Sequence, residues 1–135
     1  MPEWFLSLDA VPEPWSRPRF NRASGVVFNA PALRSSLAEF RWLLRAEWSD
    51  RGVQREPLDG AVVVEATFWY PRPKSVTAKR RPHHVVKPDL DNLAKTLCDA
   101  MREIVYRDDN QVTELLLRKA YGPKYRTELR VEALA

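Results

Sequence analysis

The chain has 135 residues, with 22 Lys and Arg against 18 Asp and Glu, a formal net charge of +4. Five Trp, five Phe and 44% hydrophobic residues exclude a disordered chain, and the length suits a single folded core. Cys98 is the one cysteine, so no intrachain disulfide can form. No apolar run reaches the ~18 residues of a membrane span, and the start MPEWFLSLDAVPEPW lacks a basic, then apolar signal pattern. The expectation is a soluble cytoplasmic protein with no membrane partner, built as one domain over residues 1–135.

Trp4 to Leu8 is an apolar run that reads as a strand, and Pro12, Pro14 and Pro18 then interrupt regular structure. Gly25 to Phe28 reads as a short second strand. Pro31 opens a helical pattern in which Leu33, Leu37, Phe40, Leu44 and Trp48 recur on one face. Ala61 to Tyr70 is rich in β-branched and aromatic residues and predicts a strand with Val62, Val64, Ala66 and Phe68 on one face. Leu90 to Ile104 predicts a second helix with the stripe Leu90, Leu93, Ala94, Leu97, Met101 and Ile104. Val112–Tyr121 and Tyr125–Ala133 read as two strands joined at Gly122-Pro123, a hairpin. Strands, helix and closing strands together predict an α+β domain with a mixed sheet and two main helices.

The charge is unevenly spread. From Pro71 to Pro88 stand Arg72, Lys74, Lys79, Arg80, Arg81 and Lys87, with no Asp or Glu among them. This loop accounts for more than the whole net charge of the chain. A solvated face mixes signs, whereas a single-sign run beside an ordered domain points to a polyanion, nucleic acid first.

Acidic residues bracket the second helix: Asp89 and Asp91 at its start, Asp108 and Asp109 after its end. Each has an ordinary reading. Asp89 sits where an N-cap belongs, Asp91 and Lys95 form an i,i+4 pair, and Asp108-Asp109-Asn110 suits a turn. The chemical reading is that carboxylates gathered beside a basic loop hold a hard divalent cation against a phosphodiester, with Lys95 orienting water or stabilising the leaving oxygen. That reading requires the chain after Ile104 to fold back along the helix. A calcium loop is excluded, because Ala94 and Ala100 occupy the positions that need Gly and Glu. An aspartyl nucleophile needs a buried strand before Asp89, and Val85-Val86 is too short. His83-His84 suit phosphate or solvent, Cys98 suits packing at the stripe's edge, and Trp15 suits stacking on a base.

The stretch KPDLDNLAKTLCDAM (Lys87 to Met101), followed by YRDDNQV (Tyr106 to Val112), resembles the RusA family of Holliday junction resolvases. RPRF (Arg17 to Phe20) and FWYPRPKS (Phe68 to Ser75) resemble upstream elements of that family, so the resemblance runs from about Pro12 to Arg130. It implies a small homodimeric endonuclease of recombination and repair that nicks four-way DNA junctions in pairs with Mg²⁺, Mn²⁺ being a possible substitute. Carried over by position, Asp89, Asp91 and Asp109 are the expected metal ligands and Lys95 the catalytic lysine. Asn92, Asp99 and Asp108 are expected to support them. The expected DNA-backbone contacts are Arg17, Arg19, Lys74, Lys79, Arg80, Arg81 and Lys87. A C2 dimer matches the two-fold symmetry of branched DNA, and the bound protein would be nucleoid-associated. Two alternatives stand beside this: a non-catalytic nucleic-acid-binding module of the same fold, and a nuclease for other branched substrates.

Overall fold

The computed structural model describes residues 2–28, 31–49, 52–53 and 55–134. Its elements are β1 (Glu3–Leu8), β2 (Arg19–Phe20), β3 (Val27–Phe28), α1 (Pro31–Trp48), β4 (Val62–Pro71), α2 (Leu90–Met101), a 3₁₀ turn (Asp109–Gln111), β5 (Val112–Gly122) and β6 (Arg126–Ala133). A four-stranded mixed sheet runs in the order β1-β6-β4-β5, and β2 pairs with β3 in a separate antiparallel ribbon. This is the α+β architecture with two helices that the sequence predicts.

The core lies between the sheet and the helices. Phe40, Leu44 and Trp48 of α1 and Leu93, Leu97 and Met101 of α2 pack onto Val62, Val64, Ala66 and Phe68 of β4 and Leu129 and Val131 of β6. The apolar stripes anticipated on α1 and β4 are therefore the buried ones, because each presents side chains at the period of its element. Val63 is buried as well, beside a register shift at Val62/Val63 that breaks strict alternation. On the far side of the sheet Arg130 bridges Glu3, Glu65 and Glu132 at 3.2, 3.1 and 3.0 Å. The carboxylates around it raise the Arg130 pKa, Glu132 first and Glu65 next.

Two expectations are corrected. β5 and β6 do not form a hairpin: β5 lies parallel to β4 on one side, and β6 lies antiparallel to β4 on the other. Parallel neighbours require a crossover, and α2 supplies it, so β4–α2–β5 is a βαβ unit. The link after β5 then passes the end of β4. At Gly122 a Cβ would stand 3.0 Å from Trp69 Cε3, which is why glycine suits that crossing.

The second correction concerns α2, which ends at Met101 rather than Ile104. Arg102 is extended and Glu103 has φ +64°, so the chain leaves the helix axis and drops Ile104, Val105 and Tyr106 into the core. The helix end is held from outside. Arg41 of α1 donates through Nη1 to the carbonyls of Asp99, Ala100 and Arg102 at 3.1, 3.0 and 3.0 Å, satisfying acceptors that a helix C-terminus leaves open.

Candidate active site

The turn after α2 determines where the acidic residues meet. Tyr106, buried, donates its hydroxyl to the Cys98 carbonyl at 2.7 Å, so the chain runs back along the last turn of α2. Burial, followed by neighbouring Cys98, pushes the Tyr106 phenol well above its usual range. Gln111 then fixes the 3₁₀ turn: its Oε1 accepts from the amides of Arg107 and Asp108, and its Nε2 donates to the carbonyls of Leu58 and Gly60. Asp108 caps that turn, accepting from the Asn110 amide in a capping box with Gln111. With Asp108 so engaged, the next carboxylate, Asp109, is the one that faces α2.

Asp109 lines a cavity of about 380 Å³ with Trp15, Ala94, Lys95, Cys98 and Asp99. Ala94, Lys95, Cys98 and Asp99 are adjacent turns of one helix flank, and Asp91 continues that flank one turn toward the N-terminus. Trp15 closes the cavity, with the Lys95 ammonium 4.2 Å from its ring centroid and its amide donating to the Asn92 carbonyl at 3.1 Å. The Asp109 carboxyl is raised above its ordinary pKa, first by its hydrogen bond with Asp108, then by burial and by the charges of Asp108 and Asp99. Asp108 shifts the opposite way, chiefly because it accepts in that shared hydrogen bond. Burial, the first cause, pushes the Cys98 thiol up, which leaves it a protonated packing group.

The three expected metal ligands are not gathered in one place. Among the described residues no group of three or more His, Cys, Asp or Glu is placed to hold a metal ion. Asp89 occupies the N-cap position of α2, yet its side chain makes no capping hydrogen bond. It lines a second, larger cavity with Lys87, Asn92 and residues 11–14 of the N-terminal arm. The donor chemistry beside Lys95 still suits a hard cation. Asp99 and Asp109 offer oxygen ligands, and Mg²⁺ commonly takes one or two carboxylates while completing its shell with waters and substrate phosphate.

The basic loop is stitched to the ends of β4 and β5. Arg72 donates to the Arg81 carbonyl and stacks over Tyr121 at 4.3 Å, and Lys119 donates to the carbonyls of Val86 and Pro88 at 2.5 and 2.8 Å. Buried His84 lies between Tyr70 and Tyr121, with ring centroids at 4.7 and 4.9 Å, so it faces neither phosphate nor solvent. Arg81 is half-buried, with Nη1 donating to the Tyr121 hydroxyl at 3.4 Å, whereas Lys74, Lys79, Arg80 and Lys87 are exposed, as are Arg17 and Arg19. Sequence reasoning missed Lys119 and Arg41, whose carbonyl partners lie 31 or more residues away in the chain.

Residues 9–132 match the family described as Endodeoxyribonuclease RusA. The chain belongs to the RusA family. It is also similar to an uncharacterized protein, YqaN, of Bacillus subtilis (strain 168), with 29% identity over 87 residues. That similarity spans 58% of this chain and 61% of the Bacillus protein, so it covers less than two thirds of the relative. Among the described residues no helix is long and apolar enough to cross a membrane.

Proposed function

We propose that this RusA-family protein is a divalent-metal-dependent endonuclease that resolves four-way DNA junctions by paired nicks, in recombination and repair. The observation that carries the reading is the convergence of Lys95, Asp99 and Asp109 on one cavity in a chain of this family. Asp109 and Asp99 are the carboxylates of this cavity that would hold Mg²⁺ or Mn²⁺, and Asp91 and Asp89 belong to the set through the motif KPDLDN. The cation, when bound, offsets charge on the phosphoryl oxygens and makes water a better nucleophile. Lys95 presents its ammonium to the same cavity and stabilises the negative oxygens of the scissile phosphate. Exposed Lys74, Lys79 and Arg80 hold the backbone of the DNA arms.

The reading includes a homodimer. β5 is an 11-residue edge strand, paired with β4 alone among the described strands, and it exposes Leu115 (39%) and Leu116 (49%). An edge of this length with two exposed leucines is a template for a second copy, and a C2 pair would present two opposed sites to a symmetric junction.

The test is to incubate the protein with Mg²⁺ and labelled four-way junction, flap and linear duplex. The reading expects symmetric nicks in the junction, at rates well above those on the other substrates, and their loss in Asp91→Asn with junction binding retained. Undiminished nicking by Asp91→Asn overturns it.

A further inference from the structure

The larger cavity, about 670 Å³, shares Asp89 with the proposed metal set, but the rest of its lining is not used by the chemistry above. Its walls come from the N-terminal arm, α1, the end of β4, the approach to α2 and the β5–β6 turn. The arm contributes to both cavities: Val11 to Pro14 line the larger one, and Trp15 lines the smaller. Lys87, the last cation of the basic loop, and Asp89 of the acidic motif also line it, which sets the cavity next to the proposed backbone contacts.

The lining chemistry does not suit a phosphate. Glu13, Glu39 and Asp89 set three carboxylates against the single ammonium of Lys87. It does suit a flat, uncharged group with hydrogen-bond donors. Tyr70 and Tyr125 meet edge to face, with centroids 6.0 Å apart and planes at 80°, and make an aromatic corner; Tyr125 is 56% exposed. Carboxylates accept from the exocyclic amino groups of cytosine, adenine and guanine, which thymine lacks. The volume falls in the range of ligand sites in general and is ample for one base.

We infer that this cavity receives one unpaired, amine-bearing nucleobase displaced from the branch point, and so sets where along the strand the nick falls. The inference rests on the junction-cutting reading above. A base at a branch point is already poorly stacked, so extruding it is less costly than from continuous duplex. Glu39 and Glu13 would accept from its amino group, with the exposed Tyr125 bordering it. The adjoining phosphate would then lie toward Asp89 and the smaller cavity.

The test places single 2-aminopurine residues at successive positions around a four-way junction. Fluorescence and anisotropy are read with EDTA present, so that no strand is cut. The expected result is a rise of about threefold or more at one position in each of two symmetry-related strands when wild-type protein binds. Ser35→Trp, on the exposed face of α1, intrudes on the cavity beside Glu39, and Glu39→Lys reverses one wall charge. Both should abolish the rise while junction affinity by anisotropy stays within about threefold, since phosphate contacts dominate affinity. A flat response at every position with wild-type protein bound, or an unchanged rise in Ser35→Trp, overturns the base pocket and leaves the nuclease reading standing. Absence of junction binding removes both.

Discussion

Trp15 holds Lys95: the ammonium lies 4.2 Å from the indole centroid, and the Trp15 amide is tied to the Asn92 carbonyl one helical turn earlier. The indole therefore fixes a long, flexible side chain over the cavity that Asp99 and Asp109 share. Trp15→Leu removes the aromatic face and should slow junction nicking under single turnover about three- to thirtyfold, the range a cation–π contact supports. Trp15→Phe should keep most of the rate, and both variants should bind the junction as the wild type does. Equal rates in all three would show that Lys95 needs no such support.

Arg41 organises the same site from behind. Its Nη1 serves three carbonyls at the end of α2, including that of Asp99. Burial, the first cause, lowers its pKa, yet the guanidinium remains charged at neutral pH. Arg41→Met keeps much of the packing and removes the donors. Chemical denaturation should show a loss of about 1–3 kcal/mol, the cost of leaving such acceptors without a partner. An unchanged midpoint would refute the capping role.

Loop order should depend on acidity through His84. Burial first, then the Lys119 charge, lowers the His84 pKa below its ordinary value. A histidine that resists protonation in the folded state contributes full stability above the unfolded pKa of about 6.5. That contribution falls as the pH drops below this value toward the folded pKa. Thermal melts of wild type should therefore decline between about pH 7 and 5 more steeply than those of His84→Phe, which keeps the stack between Tyr70 and Tyr121. Parallel slopes would contradict this.

Salt titration separates phosphate contacts from structural arginines. Lys79→Ala and Arg80→Ala remove exposed charges, and each should reduce the slope of log K against log salt by about 1 per protomer in contact with DNA. Arg72→Gln should act mainly through the loop, since Arg72 is engaged with the Arg81 carbonyl and Tyr121. It should lower the thermal midpoint. Slopes unchanged in both alanine variants would remove the basic loop from the DNA interface.

What the sequence disclosed, and what it hid, follows from the range of each interaction. The stripes of α1 and β4 repeat within one element, so Phe40, Leu44, Val64 and Phe68 are legible as core from the sequence. The acidic motif was legible too, as a set of residue types. Its grouping was not. Asp109 reaches Lys95 because Glu103 adopts φ +64° and Tyr106 bonds back to Cys98, and no local pattern encodes that return. Asp89 looked like an N-cap by position, but its side chain makes no capping bond and lines the other cavity. The supposed hairpin failed for a similar reason. Gly122-Pro123 marks a turn correctly, but strand pairing is a tertiary choice, and β4 stands between β5 and β6.

Neighbouring residues offer the sharpest discrimination. Asp108 caps the 3₁₀ turn, while Asp109 lines the cavity with Lys95. The decisive measurement is Mg²⁺-dependent nicking of a labelled four-way junction by Asp109→Asn and Asp108→Asn, with junction binding measured alongside. Asp109→Asn should lose about a hundredfold or more of the rate and still bind, whereas Asp108→Asn, whose amide oxygen can still accept from the Asn110 amide, should lose about tenfold or less. Full activity in Asp109→Asn would contradict the placement of the chemistry at this cavity.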